Sequence, residues 1–232
     1  MFEVLEKQRN ETARQYAIRV LRHNILYLNL KPGQPISESE IGELLGLSRT
    51  PIREAFKDLE KTHIIEVLPQ KGTFVASIDF DLVHDALFLR LTLEKAILAE
   101  ACSNMSGRHM ALLEENLLLS RYHVERNDMK KWFALDNAFH RLLFQGCGKG
   151  RIYDYMESML IHFDRIRILG LEAKKMQVAF GQHLDLWKLI KSRDVEKAIP
   201  AMENHLSSCM IDKPFIENLQ SRYSWVGEAI TL

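Results

Sequence analysis

Residues 36–59, which read ISESEIGELLGLSRTPIREAFKDL, constrain the fold of this chain more than any other stretch. Ser37 is a typical helix N-cap, and Glu40 stands three residues later as its capping-box partner. An apolar stripe at helical spacing follows, formed by Ile41, Leu44 and Leu45. Gly46 then ends this short helix, because glycine readily takes the left-handed conformation found at helix ends. The pattern predicts a helix, a tight turn and a second helix.

The second helix of this pair is capped by Ser48 or Thr50, and Pro51 suits its first turn, where a missing N–H has no consequence. Its buried face is formed by Ile52, Phe56 and Leu59. Arg49, Thr50 and Arg53 then point outward near the N-terminus of the helix, where helix-turn-helix proteins contact base edges in the major groove. Ordinary helical hairpins also join two helices through a glycine, so the motif by itself leaves both interpretations open.

The segments on either side of the pair favour the DNA-binding interpretation. Residues 64–68 and 73–76 are β-prone, and residues 69–72 between them form a turn, which predicts a hairpin. Upstream, residues 30–35 form a turn that leads into one more short strand. Before it lies an apolar helical face made by Ile18, Leu21, Ile25 and Leu28. A hairpin directly after a helix-turn-helix predicts a winged helix.

Three motifs in this region, LKPGQPISESEI, GLSRTPIREAFKDL and PQKGTFVA, resemble the winged-helix domain of the GntR family of bacterial transcription regulators. The resemblance covers residues 13–76. It implies operator contacts by the recognition helix and the wing, namely by Arg49, Thr50, Arg53, Lys71 and Gly72. Ser39 stands where the fatty-acid regulators of the family carry a DNA-contacting arginine, so we expect that contact to be weaker or absent.

Net charge does not by itself indicate nucleic-acid binding, since 31 lysines and arginines balance 31 aspartates and glutamates. The expected DNA contacts therefore depend on where the basic residues are placed. We expect the acidic residues of the domain to lie on faces turned away from DNA, namely Glu38, Glu40, Glu43 and Glu60. A neutral protein of this kind should rely on a homodimer for its affinity.

A chain of 232 residues is long enough for a small and a larger domain. The pattern predicts a mainly α protein with a winged helix-turn-helix over residues 1–76, a linker over 77–81, an antiparallel all-helical bundle over 82–210 and a tail over 211–232. Breaks in the periodicity predict six helices in the bundle. Their bounds are about 82–104, 107–126, 129–145, 150–169, 172–192 and 194–210.

Two features of the sequence bear on the cellular compartment. No apolar run approaches the ~20 residues that span a bilayer, and residues 1–11 are too charged for a secretory signal, so we expect a cytoplasmic protein without membrane contact. The three cysteines, Cys102, Cys147 and Cys209, are widely spaced in helical patterns. We expect them to be buried packing residues without a disulfide.

The chemistry of the bundle is expected at its histidines. Asp136 and His140 are four residues apart, so a helix places both on one face among apolar neighbours. His183 and His205 lie on two later helices in similar surroundings. One Asp and three His form a plausible site for Zn²⁺, Ni²⁺ or Mn²⁺. Hydrogen-bonded core histidines and a simple Asp–His ion pair are the alternatives that the residues leave open.

Residues 82–210 resemble the all-helical FCD ligand-binding domain of the FadR subfamily of GntR regulators, within the six-helix, VanR-like group. Metal-binding members carry Asp-x-x-x-His and then a His on each of two later helices, which Asp136, His140, His183 and His205 match position by position. The resemblance therefore implies a divalent metal ion at these residues. Five other histidines, His23, His63, His84, His109 and His123, are expected to lie on the surface or in packing positions.

Arg90 and Glu94 resemble the Arg-x-x-x-Glu of the first helix of that domain, in which the arginine faces the pocket. The resemblance implies that Arg90 binds the carboxylate of a small organic-acid effector, because a guanidinium suits bidentate capture of a carboxylate. The alternative is an intrahelical ion pair with Glu94. Arg165 and Arg167 are further candidates.

Three functions are compatible with this sequence. The first is a transcription regulator that binds double-stranded operator DNA and responds to an organic acid at its metal site. The second is a metal-dependent hydrolase, because such a site also activates water, although no residue is spaced as a nucleophile or general base. The third is a structural DNA-binding dimer without an effector. Buried Asp136 and three buried imidazoles favour the first over the third.

Overall fold

A computed structural model of the protein describes residues 1–208, which form two compact units. Of these residues, the first unit contains Met1–Leu82 and Ile161–Ile166, and the second contains Val83–Leu160 and residues 167–208. The tail predicted over residues 211–232, the predicted end of the last helix at 210 and Cys209 lie outside the described residues.

The first unit is a winged helix, as the sequence predicts. Its elements in chain order are α1 (Ala13–Leu26), β1 (Pro35–Ile36), α2 (Glu38–Leu45), α3 (Arg49–Lys61), β2 (Ile65–Leu68) and β3 (Gly72–Val75). The sheet is antiparallel in the order β1-β3-β2, with Pro35 opposite Phe74 and Leu68 opposite Gly72. The predicted hairpin and the short upstream strand are both present.

Two glycines shape the turn between α2 and α3. Ser37 Oγ accepts a hydrogen bond of 3.0 Å from the Glu40 N–H, which caps α2 as expected. Gly46 ends the helix with φ +63°. The Leu47 N–H donates to the Gly42 carbonyl at 2.9 Å, and a Cβ at Gly42 would lie only 3.2 Å from the Leu47 oxygen. A side chain at position 42 would therefore require the turn to shift slightly at the Leu47 carbonyl.

The core of the winged helix matches the predicted stripes except at three residues. The fully or nearly fully buried residues include Val20, Leu21, Ile25, Ile41, Ile52, Phe56 and Leu59. Ile18 is only partly buried, and Leu28 follows the end of α1 with φ +58°, so neither completes the predicted face of the helix. Leu44 is exposed although it lies in the apolar stripe of α2. Single-sequence periodicity misses such edges because burial depends on the neighbouring elements.

The second unit is all-helical. Its helices are α4 (Phe80–Asn104), α5 (Gly107–Glu125), α6 (Met129–Gly146), α7 (Gly150–Met159), α8 (Ile161–Leu169), α9 (Ala173–Ser192) and α10 (Val195–Ser208). Residues Ile161–Ile166 of α8 are counted with the first unit. Five of the six predicted helices are found with bounds that differ by at most three residues within the described part of the chain. α4 begins at Phe80 and therefore runs into the predicted linker.

The prediction of one helix over residues 150–169 is wrong. The structure divides this stretch at Leu160, whose N–H donates to the Glu157 carbonyl in a tighter turn. No Gly or Pro marks the break, and Leu160 and Ile161 are both buried, so the apolar pattern continues through it. The chain changes its packing at this point, since Leu160 belongs to the second unit and Ile161–Ile166 to the first.

Of the two cysteines that the structure describes, one is buried as expected and the other is not fully buried. Cys102 is buried, Cys147 is half-buried, and both are free thiols. Burial raises the pKa of Cys147 to about 11, so its reactive thiolate is suppressed at neutral pH. Among residues 1–208, no helix combines the length and apolar character needed to cross a bilayer.

His162 of α8 is held as a neutral imidazole within the first unit. Its Nδ1 accepts a hydrogen bond of 3.0 Å from the Asp79 N–H, and its Nε2 lies 2.8 Å from the His63 carbonyl oxygen. A backbone N–H only donates and a carbonyl only accepts, so Nδ1 carries no proton and Nε2 does. Burial, with a smaller contribution from Arg165, lowers the pKa of His162 to about 4.

We expect His162 to make the first unit less stable in acid. The pKa of a histidine in the unfolded chain is near 6.5, whereas that of His162 in the folded protein is about 4. The contribution of neutral His162 to the free energy of unfolding is therefore complete above pH 6.5 and is lost as the pH falls from 6.5 towards 4. The loss amounts to roughly 3 kcal/mol. Urea unfolding measured between pH 7 and pH 4 should show that the free energy of unfolding falls less with acid in His162→Gln than in the wild type. The control is His84→Gln, at an exposed position, which should leave the acid dependence of the unfolding free energy as in the wild type. An NMR titration that gave His162 a pKa near 6.5 would contradict the assignment.

Candidate functional site

The residues expected to contact DNA lie on the recognition helix and the wing of the first unit. Arg49, Thr50 and Arg53 are exposed in the first two turns of α3. Lys71 and Gly72 are exposed at the tip of the β2–β3 hairpin, where Gly72 has φ +114°. The placement suits a helix that enters the major groove with a wing beside it. The contacts with DNA themselves stay a prediction.

Glu38 does not lie on a face turned away from α3, and that expectation is wrong. Its Oε2 lies 3.4 Å from Arg53 Nε, because the start of α2 is next to the recognition helix. The side chains are 36% and 63% exposed, so this pair is worth at most about 1 kcal/mol. Such a pair does not prevent Arg53 from contacting a base.

The second unit brings three imidazoles together in its core. His140 of α6, His183 of α9 and His205 of α10 are each at most 1% exposed. His205 Nε2 lies 3.2 Å from His183 Nε2 and 3.2 Å from His140 Nε2. Phe139 stacks on the His183 ring at 4.2 Å and fixes its orientation. Two nitrogens bound to one Zn²⁺ at ~2.0–2.1 Å in a tetrahedron lie about 3.3 Å apart, so the spacing fits shared coordination.

Asp136 lies beside this triad and is oriented by Arg167. Its Oδ1 is 3.5 Å from His183 Nε2, and it is buried with no hydrogen-bond donor among residues 1–208. Its Oδ2 accepts a hydrogen bond from Arg167 Nη2. A buried carboxylate oxygen without a donor is unfavourable unless a cation satisfies it. The donor set therefore fits a divalent metal ion that would be bound by the three imidazoles and by Asp136 Oδ1 as the fourth ligand.

The electrostatics of the site keep the ligands in their metal-binding form. Burial lowers the pKa of His183 to about 3, and burial together with the neighbouring His183 lowers the pKa of His205 well below 6.5. Burial has the largest single effect on the pKa of Asp136 and raises it, but Arg167 and the three neighbouring imidazoles together lower it further, so the pKa lies below its usual value and the carboxyl stays ionised. Neutral imidazoles and an ionised carboxylate are the states that bind a metal ion.

Two further residues orient the imidazoles, and sequence reasoning did not assign them this role. Glu94 Oε2 lies 2.5 Å from His140 Nδ1, and Gln182 Oε1 lies 2.9 Å from His205 Nδ1. The Gln182 acceptor at Nδ1 of His205 fixes the proton there and leaves the Nε2 lone pair free for a ligand bond, and the Glu94 carboxylate is placed to orient the His140 ring through an ion-pair contact. The sequence signal for Gln182 is its position directly before His183. For Glu94 the signal is its place in the Arg-x-x-x-Glu motif, where it was considered only as the partner of Arg90.

Arg90 forms the intrahelical pair that the sequence left open as the alternative. Its Nε donates to Glu94 Oε1 at 2.6 Å, and both side chains are at most 2% exposed. Burial raises the pKa of Glu94, but Arg90 and then His140 outweigh it, so the pKa falls to about 2. Arg90 therefore holds the carboxylate that orients His140. Effector binding by Arg90 stays a prediction.

Comparison with known proteins identifies both units. Residues 14–75 match the family described as "Bacterial regulatory proteins, gntR family", and residues 85–208 match the FCD domain. The chain belongs to the GntR family of bacterial regulatory proteins. Its FCD domain fits the FadR subfamily. It is a GntR-type transcription regulator, in which the winged helix is the DNA-binding domain and the FCD domain is the effector-binding domain.

Individual relatives support this membership along the whole chain. The HTH-type transcriptional repressor RspR of Escherichia coli (strain K12) is 31% identical over 227 residues, which are 97% of this chain and 99% of RspR. A regulator in an unstable DNA locus of Streptomyces ambofaciens is 33% identical over 193 residues, which are 83% of this chain and 81% of that protein. The solved structure of E. coli McbR/YncC has a TM-score of 0.74 at 19% sequence identity. The superposition covers 91% of this chain and 99% of the McbR/YncC chain. This last likeness shows the fold alone.

Metal binding by this FCD domain can be measured directly. Protein purified without chelator should carry about one divalent ion per chain, and chelation should lower its thermal midpoint, because a ligand bound only by the folded state stabilises that state. His183→Ala and His205→Ala should lose the ion. Glu94→Gln should keep the fold and weaken the metal affinity by about 10- to 100-fold, since it loses an orienting carboxylate.

The matched control is His84→Ala, which removes an exposed imidazole on α4 and should leave metal content unchanged. Elemental analysis gives the stoichiometry, and competition with a chelator of known affinity gives the dissociation constant. Protein that neither carries an ion as purified nor takes one up on soaking would exclude the metal centre. His183→Ala with an unchanged metal content would exclude the proposed ligands.

Proposed function

We propose that this GntR regulator is a cytoplasmic repressor that binds operator DNA as a homodimer and is controlled by a small carboxylate metabolite at a metal centre in its FCD domain. The observation that carries the proposal is the triad of Nε2 atoms of His140, His183 and His205, with two neighbouring separations of 3.2 Å, beside the unsatisfied Asp136 Oδ1. Three imidazoles and an ionised carboxylate buried together serve no packing purpose that apolar side chains would not serve better.

The charges of the metal centre favour an anionic effector. Glu94 and Asp136 are two buried carboxylates, and Arg90 and Arg167 are two buried guanidinium groups, so the four charges cancel. A divalent ion would add two positive charges to a core that is already balanced. Buried charge is unfavourable without compensation, so an anion such as a carboxylate is the natural further ligand. A bound ion would thereby favour an anion held close to the metal centre.

Repression and dimerisation are inferred from the family and from geometry. RspR is named as a repressor and is similar to this chain over nearly its whole length. A single winged helix reads one half-site, and paired recognition helices read a near-palindrome. We infer a regulator rather than a hydrolase, because its relatives are transcription regulators and a hydrolase would leave the winged helix without a role.

The recognition helix supplies the first test of this function. Arg49→Ala and Arg53→Ala should each weaken specific operator binding by about 1–3 kcal/mol if the guanidinium contacts a guanine edge. Lys61→Ala, in the last turn of the same helix and 77% exposed, is the matched control and should bind like the wild type. A mobility-shift titration at fixed salt measures the affinities. Wild-type affinity in both arginine variants would show that α3 does not read the operator.

The metal centre supplies the second test. The effector should change operator affinity by roughly 5- to 150-fold in metal-loaded protein, and operator DNA should change effector affinity by the same factor. Metal-stripped protein should keep its basal operator binding and lose the effector response. Fluorescence anisotropy with labelled operator, with and without effector and metal, gives the four affinities. A response of equal size in stripped protein would show that the signal enters at a different site.

A further inference from the structure

A cavity of about 350 Å³ opens in the second unit beside the metal centre. Its apolar walls come from α6 and α9 and the segment before α9, with Trp132, Phe133, Leu171, Val178 and Ala179. The volume lies at the lower end of the ~300–1,000 Å³ that small-molecule sites usually have. It suits a compact ligand rather than a large cofactor.

The cavity lies one helical turn from the metal ligands on three helices. Phe133 precedes Asp136 by three residues, Ala179 precedes His183 by four, and Ser208, which also lines the cavity, follows His205 by three. Residues three or four apart share one face of a helix. These wall residues therefore lie on the same helix faces as the metal ligands, one turn away, although none of the four ligands itself lines the cavity.

Arg167 connects the two sites. It lines the cavity, is 9% exposed, and has its guanidinium 4.6 Å from the centroid of the Phe133 ring. The same guanidinium donates to Asp136 Oδ2 and to Asn137 Oδ1. An anion that binds Arg167 from the cavity would compete with Asp136 for this guanidinium.

The remaining polar groups of the cavity also favour an anion. Lys174 and Lys175 line it together with Arg167, against one acidic residue, Glu172. Glu172 is the N-cap of α9 and makes no side-chain capping bond, so the positive end of this 20-residue helix is at the cavity.

We propose that this cavity binds the effector and that the effector is a monocarboxylate with an apolar body about the size of a phenyl ring or a six-carbon chain. The regulatory part of this inference rests on the proposed function, whereas binding itself does not. The carboxylate pairs with Arg167 at the inner end, and the apolar body packs between Trp132, Val178 and Ala179. Polycarboxylates and sugar acids are disfavoured, because the apolar walls offer no hydrogen bonds for their additional polar groups.

Competition for Arg167 couples this cavity to the metal centre. A carboxylate that takes over the guanidinium releases Asp136 Oδ2, so both oxygens of Asp136 become available to the metal site. The acid should therefore raise the metal affinity of the protein, and the metal should raise the affinity for the acid by the same factor.

Isothermal titration of the metal-loaded full-length protein with phenylacetate and hexanoate tests the inference. Both should bind at least about tenfold more tightly than two reference compounds. Acetate has the carboxylate without a large apolar group, and benzyl alcohol has the apolar ring without the carboxylate. Citrate should bind no better than acetate. Binding of citrate but not of phenylacetate or hexanoate would overturn the proposed ligand class.

Variants locate the binding site. Ala179→Phe fills the cavity and should abolish phenylacetate binding while metal content stays normal, and Lys174→Gln should weaken it. Lys188→Gln, which removes an exposed lysine of the same helix that does not line the cavity, should bind phenylacetate like the wild type. Undiminished binding by Ala179→Phe would place the ligand in another site.

Operator titrations separate this inference from the proposed function. If phenylacetate and hexanoate fail to bind while another acid produces a metal-dependent operator response, the inference about the cavity is wrong and the proposed function stands. If they bind in the cavity and raise the metal affinity without changing operator affinity, the cavity is confirmed as a binding site and its regulatory role is rejected.

Discussion

The second unit depends on the desolvation of three imidazoles packed against one another. In water a histidine is close to half protonated near pH 6.5, and three protonated rings with Nε2 atoms 3.2 Å apart would repel strongly. Burial removes this possibility by lowering the pKa of His183 and His205. The result is a set of three converging Nε2 atoms in the core. The flanking Glu94–Arg90 and Asp136–Arg167 pairs hold this set in place and keep the surrounding charge balanced.

The sequence predicted the winged helix closely because its signals are local. The N-cap Ser37, the left-handed Gly46, the Pro51 in the first turn of α3 and the turn at residues 69–72 each act within a few residues. Such signals fix the helix ends and the hairpin without any knowledge of distant contacts. Glu38 shows the limit of this reasoning. Its proximity to Arg53 arises from the crossing of two helices, which the spacing within either helix does not specify.

The sequence predicted the metal candidates but not their surroundings. Helical spacing indicated which faces carry Asp136 and His140, and resemblance added His183 and His205. The acceptors on the opposite ring nitrogens, Glu94 and Gln182, come from helices far apart in the chain and become visible only in the folded structure. The break at Leu160 was missed for a related reason. The apolar pattern runs on without interruption while the packing environment of the chain changes.

The division of α8 between the two units means that the first compact unit is discontinuous in sequence. Ile161–Ile166 belong to the first unit, where His162 bonds the backbone of residues 63 and 79 and Arg165 donates to the Ala76 carbonyl. A chimaera that joins this winged helix to the FCD domain of another regulator at residues 77–81 would replace all three of these contacts by foreign side chains. A transplant that preserves these three contacts therefore has to carry residues 161–166 with the winged helix.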